Sequence, residues 1–145
     1  MMKYRLLHPQ LLGALGRAGH GSRILIADSN YPHVTGAPAQ AERVFLNLAS
    51  GLISATDVLK VLLDAIPVET AYAMLMDNGQ EAPIVAEFRA MLPEGVEFKT
   101  LERFAYYEAV KSPDTVLVIA TGEQRLYANL LLVVGVVTPE GVAKY

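Results

Sequence analysis

The chain has 145 residues, a formal net charge of −3 and no cysteine, and 52% of its residues are hydrophobic against 19% charged. The lack of cysteine excludes disulfides, thiolate metal sites and cysteine nucleophiles. The 12 basic residues are spread singly along an acidic chain, which argues against a nucleic-acid partner. The apolar fraction is high for a protein of this size and predicts apolar surface that is buried between subunits.

The sequence shows no sign of a membrane segment, a secretion signal or a second domain. The longest apolar run, 130–137, is far shorter than the roughly 18 to 20 residues that a membrane-spanning helix needs. The N-terminus has no apolar stretch of signal-peptide length and no cleavage pattern. Because linkers, repeats and low-complexity tracts are also lacking, we expect one domain over 1–145, located in the cytoplasm and without a membrane partner.

Hydrophobic periodicity predicts helices that alternate with strands. A helix over 9–18 has Pro9 in its first turn and Gly19 as its C-terminal cap. A second helix begins at Ser54 with a pattern like a capping box, and two more are predicted over 82–91 and 103–111. Strands are predicted over 23–27, 44–48, 70–76, 96–100, 115–120 and 130–137. This order predicts a three-layer α/β domain whose largely parallel or mixed sheet is covered by helices on both faces.

Acid–base chemistry near neutral pH has few candidates, because the chain contains 3 histidines. His20 lies between two glycines, which clear space around it for a ligand; otherwise it is a solvated loop residue next to a helix cap. His8 precedes a helix and is typical of a cap or a surface position. His33 follows a proline in a loop, where it lines a site or, as we favour, faces water.

Asp28 directly follows an apolar strand. Ligands of layered α/β domains bind at the carboxyl ends of strands, so Asp28 is placed to accept hydrogen bonds from sugar hydroxyls; otherwise it is a turn residue that bonds the backbone after it. The strand over 23–27 separates it from His20 and spans about 16 Å. Either the glycine turn folds His20 back over the sheet, or a neighbouring chain completes the site. The second alternative predicts a site at a subunit interface.

The segment 101–109 places several polar and aromatic residues on one short helix or its entry. Arg103 offers a fork of donors for hydroxyls or a carboxylate. Tyr106, Tyr107 and Glu108 follow it, and such a stripe is typical of an aromatic core face with solvated charges.

The segment 121–129 joins two apolar strands through polar residues. Tyr127 and Asn129 supply an aromatic hydroxyl and an amide, a pair that is useful for recognising sugars. Glu123 is a second carboxylate of the site or a turn residue. The chain has no phosphate-loop lysine, no zinc-hydrolase or serine-hydrolase motif and no cluster with metal-ligand spacing, so we expect neither a cofactor nor a metal.

Three segments carry a family resemblance. GHGSRILIADSNYP, RFAYYEA and TGEQRLYANLLLVVGV, in this order over nearly the whole chain, resemble the D-ribose pyranase and L-fucose mutarotase family. The arginine at the head of RFAYYEA is similar to the L-fucose branch, since the ribose branch has a histidine in that region. Ser22 stands where the fucose branch usually has an aspartate, and the loop 29–37 differs from both branches. The resemblance therefore leaves the sugar open.

The resemblance implies a role for His20 as the acid–base residue. It implies sugar binding by four residues, Asp28, Arg103, Tyr127 and Asn129. It further implies homodecamers of two stacked pentamers with active sites at subunit interfaces. The implied reaction needs no cofactor: one group protonates the ring oxygen while another, an aspartate, a tyrosine or water, removes the anomeric hydroxyl proton. Two alternatives are a sugar-binding or transport-associated protein without catalysis, and a ribose pyranase.

Overall fold

The computed structural model describes residues 1–144, which form a six-stranded main sheet, four helices and a small hairpin. The helices are α1 (Pro9–Arg17), α2 (Ala55–Leu63), α3 (Pro83–Met91) and α4 (Arg103–Val110). The strands of the main sheet are β1 (Arg23–Ala27), β2 (Glu42–Phe45), β3 (Val68–Met74), β4 (Glu97–Leu101), β5 (Thr115–Ala120) and β6 (Leu130–Val134). The hairpin consists of β7 (Val137–Thr138) and β8 (Gly141–Val142). No helix in the described residues has the length and apolar content needed to cross a membrane.

The main sheet is mixed, in the order β2-β5-β1-β6-β3-β4. β6 runs antiparallel to both of its neighbours, β1 and β3, whereas the other pairs are parallel. Five strands therefore end at one edge of the sheet, which we call the carboxyl edge, and begin at the opposite amino edge. β6 starts at the carboxyl edge, so the segment that leads into it lies beside the ends of the other strands.

Alternation along the central strand builds a separate core on each face of the sheet. Ile24 and Ile26 pack on one face with apolar residues of α1, α2 and α3. Leu25 and Ala27 pack on the other face with residues of α4 and of the loop 28–41. Each fully buried isoleucine or leucine side chain contributes about 1.5–3 kcal/mol. The predicted three-layer α/β arrangement is confirmed.

Three predicted strands are too long at their C-terminal ends, and one of them is β3, which ends at Met74 and not at residue 76. β2 ends at Phe45 and not at residue 48, because its neighbour β5 ends at Ala120, which is the register partner of Phe45. β6 ends at Val134 and not at residue 137, because the strands on both sides of it begin there. The chain then turns, and the hairpin that follows was not predicted, although Pro139 before Glu140 and Gly141 is a turn signal.

The ends of α1 show how short polar contacts set a helix boundary. The His8 side chain accepts a hydrogen bond from the Leu11 amide, with Nδ1 3.4 Å from the nitrogen, so His8 is the N-cap, as one reading of the sequence predicted. The C-cap is Ala18 in extended conformation, and not Gly19 as predicted. Gly19 instead belongs to the turn that carries His20.

Glu123 is a structural carboxylate at the start of α2. It is 4% exposed, and its carboxylate accepts hydrogen bonds from the Ala55 amide (3.2 Å) and from Arg125 Nε (3.0 Å) and Nη2 (2.9 Å). The Arg125 side chain is the main cause that lowers the pKa of Glu123 from 4.5 to about 2. The capping box that Ser54 and Asp57 form completes the same helix end and was predicted from the sequence.

Replacing Glu123 with alanine is expected to lower the free energy of unfolding at pH 7 by about 2 kcal/mol, because hydrogen bonds to a charged group are lost. The pKa of Glu123 is lower in the folded state, so its contribution is present above pH 4.5 and is lost as the pH falls towards 2. Urea unfolding at pH 7 and at pH 2.5 measures both effects. Glu108→Ala, at an exposed helix position, is the control; equal stability of the two variants at pH 7 would contradict the assignment.

Candidate functional site

A pocket of about 210 Å³ opens at the carboxyl edge of the sheet. Its walls come from the end of β1, the end of β3, the start of α4 and the segment before β6. The lining residues are Asp28, Asn30, Tyr31, Met74, Arg103, Tyr107, Leu126, Tyr127 and Asn129. All four residues that the family resemblance assigns to sugar binding are therefore brought together in one chain.

Asp28 and Asn129 hold each other in place across the pocket floor. The Asn129 amide nitrogen Nδ2 donates to Asp28 Oδ2 (2.9 Å), and Asn129 Oδ1 accepts from the Asp28 backbone amide (2.9 Å). The second carboxylate oxygen of Asp28 accepts from the Asn30 amide (3.0 Å). The two residues are 3% and 4% exposed. A buried carboxylate with fixed orientation is thus presented to the pocket.

Burial raises the pKa of Asp28 above 3.8, and the hydrogen bonds from Asn30 and Asn129 oppose that rise only in part. A carboxylate that has lost water is a stronger acceptor for a ligand hydroxyl and a better proton acceptor than a solvated one. Asp28 is the one carboxylate among the residues that line the pocket.

Tyr127 reaches the pocket from a backbone in the left-handed region, with a φ of 61°. This conformation is uncommon for residues other than glycine and asparagine, and it costs of the order of 1 kcal/mol. The neighbouring Ala128 is fully buried and Asn129 is hydrogen-bonded on both sides of its amide, so the flanking residues hold the strained position. Strained backbone of this kind is concentrated at functional sites.

Arg103 stands at the first position of α4 with its guanidinium at the pocket rim. Arg103 Nη1 lies 3.5 Å from Asp77 Oδ1, and the neighbouring Tyr107 and Asp77 side chains raise the pKa of Arg103, with Tyr107 the larger cause. Glu102 caps the helix by accepting hydrogen bonds from the amides of Phe104 (3.1 Å) and Ala105 (3.3 Å). The cap fixes the start of α4 and hence the position of Arg103.

An aromatic wall closes the side of the pocket that faces α4, and sequence reasoning found only part of it. The rings of Tyr31 and Tyr107 lie 5.6 Å apart. The Tyr31 hydroxyl donates to the Gly36 carbonyl (2.8 Å), and burial raises the pKa of this phenol, so it stays protonated at neutral pH. Tyr106 is fully buried behind the wall, as the core-face interpretation predicted. Asn30, Tyr31, Met74 and Leu126 were missed, although Asn30 and Tyr31 come only two and three residues after Asp28.

The loop 28–41 is held against the sheet by buried backbone contacts, and His33 belongs to this scaffold. His33 Nε2 lies 2.8 Å from the Asp28 carbonyl oxygen and its ring packs edge-on against Phe45. His33 does not line the pocket. Arg43 donates to carbonyl groups along the same loop, among them those of Ala37 (3.0 Å) and Pro38 (2.7 Å). The hydrogen bonds from Arg43 thereby fix the loop that presents Tyr31.

His20 lies at the amino edge, at the opposite end of β1 from Asp28. Its Nε2 is 2.9 Å from Oε2 of Glu69, which is the second residue of β3. The alternative in which the glycine turn folds His20 back over the sheet to Asp28 is therefore wrong for a single chain. The strand-length argument, which separated the two residues by about 16 Å, agrees with this placement. In the described part of the chain, no group of three or more histidine, aspartate or glutamate side chains is arranged to hold a metal ion.

The model of the RbsD / FucU transport protein family matches residues 1–137. The chain belongs to this family. It is 35% identical over 147 residues to the fucose mutarotase of Bos taurus, which covers 93% of this chain and 92% of the relative. D-ribose pyranases are also among the curated relatives of this RbsD / FucU family member. Both kinds of relative are isomerases, so the chain is a member of a family of sugar isomerases.

Solved structures of both kinds share the fold of this RbsD / FucU family member. Bacillus subtilis RbsD complexed with D-ribose superposes with a TM-score of 0.80 at 29% identity, over 95% of this chain and 100% of that one. The fucose mutarotase from Streptococcus pneumoniae in complex with L-fucose superposes with a TM-score of 0.78 at 25% identity, over 95% and 100% of the two chains. The predicted family and fold class are thus confirmed.

Replacing Asp28 with asparagine is expected to destabilise the folded state by about 1–3 kcal/mol, because one of the two buried acceptor oxygens becomes an N–H donor that faces the Asn129 or the Asn30 donor. The pKa of Asp28 is higher in the folded state, so its contribution to stability is largest below pH 3.8 and declines as the pH rises through the folded-state value. An asparagine has no charge to desolvate. Urea unfolding at pH 4 and pH 8 measures the difference, with Asp64→Asn at an exposed ion pair as the control. The loss should be smaller at pH 8 than at pH 4, because wild type carries the desolvation cost of the Asp28 charge at pH 8. A loss that is equally large at both pH values would contradict this account.

Proposed function

We propose that the chain is a cofactor-independent mutarotase that interconverts the α and β anomers of a monosaccharide, L-fucose or a closely related sugar. The observation that carries the proposal is the pocket at the carboxyl edge. It gathers the predicted sugar ligands Asp28, Arg103, Tyr127 and Asn129 in a chain whose relatives include fucose mutarotases. A small pocket lined by a carboxylate, a guanidinium, an amide and phenols matches the alternating donors and acceptors of a monosaccharide.

The reaction needs two proton transfers and the breaking of one bond. A base takes the proton of the anomeric hydroxyl while an acid protonates the ring oxygen, and the bond between the anomeric carbon and the ring oxygen breaks. Rotation of the resulting aldehyde and the reverse transfers give the other anomer. Placed groups of this kind contribute about 10² to 10⁴ in rate. Arg103, Tyr127 and Asn129 hold the other hydroxyls so that only the anomeric centre moves.

His20 is the proposed acid–base residue, and a neighbouring subunit supplies it. Within one chain it lies at the amino edge, whereas the pocket lies at the carboxyl edge. Apolar side chains that are exposed in the single chain support a subunit contact. They include Phe45 at the end of β2, Leu48, Leu52, and Leu126, which lines the pocket. A ring in which each amino edge meets the next carboxyl edge gives closed symmetry, and the family resemblance makes two stacked pentamers the proposed assembly.

A second candidate is pyranose to furanose conversion of D-ribose. It is favoured by the superposition on RbsD complexed with D-ribose, whose TM-score is close to that of the fucose mutarotase. Arg103 favours L-fucose, because the resemblance places a histidine in this region in the ribose branch. A sugar-binding protein without catalysis would use the same pocket but would not need His20.

Saturation transfer between anomers measures the reaction directly by NMR. We expect exchange above the spontaneous rate for L-fucose, and its reduction by at least about 100-fold in His20→Ala. His8→Ala is the matched control, because that histidine caps α1 and does not line the pocket. Faster exchange with D-ribose than with L-fucose would favour the second candidate. Line broadening of the sugar without any enhanced exchange would favour a binding protein.

Mixed assemblies test the shared site. His20→Ala and Asp28→Asn subunits are each expected to be inactive alone. When they are unfolded and refolded together in equal amounts, about a quarter of the sites should combine an intact His20 with an intact Asp28, since each is present with a probability of one half. The measurement is the exchange rate of the mixture relative to wild type. Mixtures as inactive as the separate variants would contradict a site built from two subunits.

A further inference from the structure

The turn that carries His20 is fixed to the end of β6. Gly21, with a φ of 80°, donates its amide to the Val134 carbonyl (2.9 Å), and the Val134 amide donates to the Ser22 carbonyl (2.9 Å). A side chain at this glycine would be strained in that conformation. The backbone on the C-terminal side of His20 therefore has a defined position relative to β6.

Glu69 lies on β3, which pairs with β6 on the side opposite to the His20 turn. β3 pairs with β6 through Val68 and Val134 and then through Thr70 and Val133, so Glu69 is the extra residue of a β-bulge. A bulge changes the direction of a side chain locally, and bulges are common next to active sites. This one lies directly opposite the residue that anchors the histidine turn.

The bulge directs the Glu69 carboxylate to the imidazole of His20, with Oε2 2.9 Å from Nε2. The Glu69 side chain is 20% exposed, whereas the His20 side chain is 56% exposed. The carboxylate is thus the more buried partner, and the imidazole extends from it towards the surface. No other hydrogen bond joins the His20 ring to a described residue.

We propose that Glu69 is the positioning residue of His20. A carboxylate accepts hydrogen bonds, so the imidazole donates to it through Nε2–H, and in the neutral ring the lone pair is then on Nδ1. Nδ1 is the atom that exchanges protons with the sugar held by the neighbouring subunit. Glu69 also limits the rotation of the ring, as carboxylates behind functional histidines do elsewhere. The inference rests on the proposed role of His20.

The test compares two substitutions that keep the length of the side chain and differ in whether they keep a hydrogen-bond acceptor. Glu69→Gln keeps an oxygen that can accept from Nε2–H, whereas Glu69→Met keeps the length and removes the acceptor. Glu97→Met is the matched control, because that glutamate begins β4 at the same amino edge and, among the described residues, forms an ion pair with Lys99 alone. The assembled protein is used for all measurements.

We expect Glu69→Met to lower kcat for anomer exchange by about 10- to 100-fold with little change in KM, and Glu69→Gln to retain most of kcat. Glu97→Met should match wild type. In protein labelled with ¹⁵N-histidine, the Nε2–H signal of His20, assigned by its loss in His20→Ala, should persist in Glu69→Gln. In Glu69→Met it should broaden through exchange with water. If Glu69 had only a structural role, its substitution would not change the Nε2–H signal of His20.

An inactive His20→Ala together with an unchanged kcat and Nε2–H signal in Glu69→Met would overturn the role of Glu69 alone. Full activity of His20→Ala would instead overturn the proposed role of His20, whatever Glu69 does. If Glu69→Met does not fold, Glu69→Asp takes its place, because the shortened carboxylate no longer reaches Nε2. The same loss of kcat is then expected, and an unchanged kcat in Glu69→Asp overturns the proposal.

Discussion

The reciprocal hydrogen bonds between Asp28 and Asn129 are the contact on which the pocket depends. They join the end of β1 to the segment that enters β6, and they do so where both residues are almost fully buried. Because β6 is antiparallel to its neighbours, its entry segment is the one that meets the ends of the other strands. Tyr127 is placed over the pocket by the same segment. The Asn129 amide and the Asp28 carboxylate thus hold together the two chain segments that form the pocket.

The desolvation of Asp28 opposes stability, and the rest of the domain offsets it. Two apolar cores, one on each face of the sheet, surround the strand that leads to Asp28. Glu123 illustrates the opposite arrangement, since a neighbouring arginine and a helix amide stabilise its charge. The two buried carboxylates lie at the same edge of the sheet, and only the one without a cationic partner lines the pocket.

Much of this structure was predictable because short-range patterns decide it. Apolar runs gave the strands, and the Ser54 capping box gave the start of α2. Strand ends were less predictable, because β2 and β6 stop where their neighbours stop, and pairing partners are not visible in one sequence. Strand ends and side-chain chemistry made four of the pocket-lining residues candidates, and the family resemblance joined them into one predicted site. Tyr31 and Glu69 were missed because their roles depend on a loop conformation and on a β-bulge, which leave no periodic signal.

The hydrogen bonds from Arg43 to the loop 28–41 limit how the length of this loop can change during evolution. A single guanidinium, that of Arg43, donates to the carbonyl groups of six residues between 33 and 41, namely His33, Val34, Ala37, Pro38, Ala39 and Ala41. A planar fork of donors fixes how many residues can surround it. Insertions or deletions in this stretch would leave carbonyl groups without a donor, so sequence change here is restricted to substitutions that preserve the length of the loop.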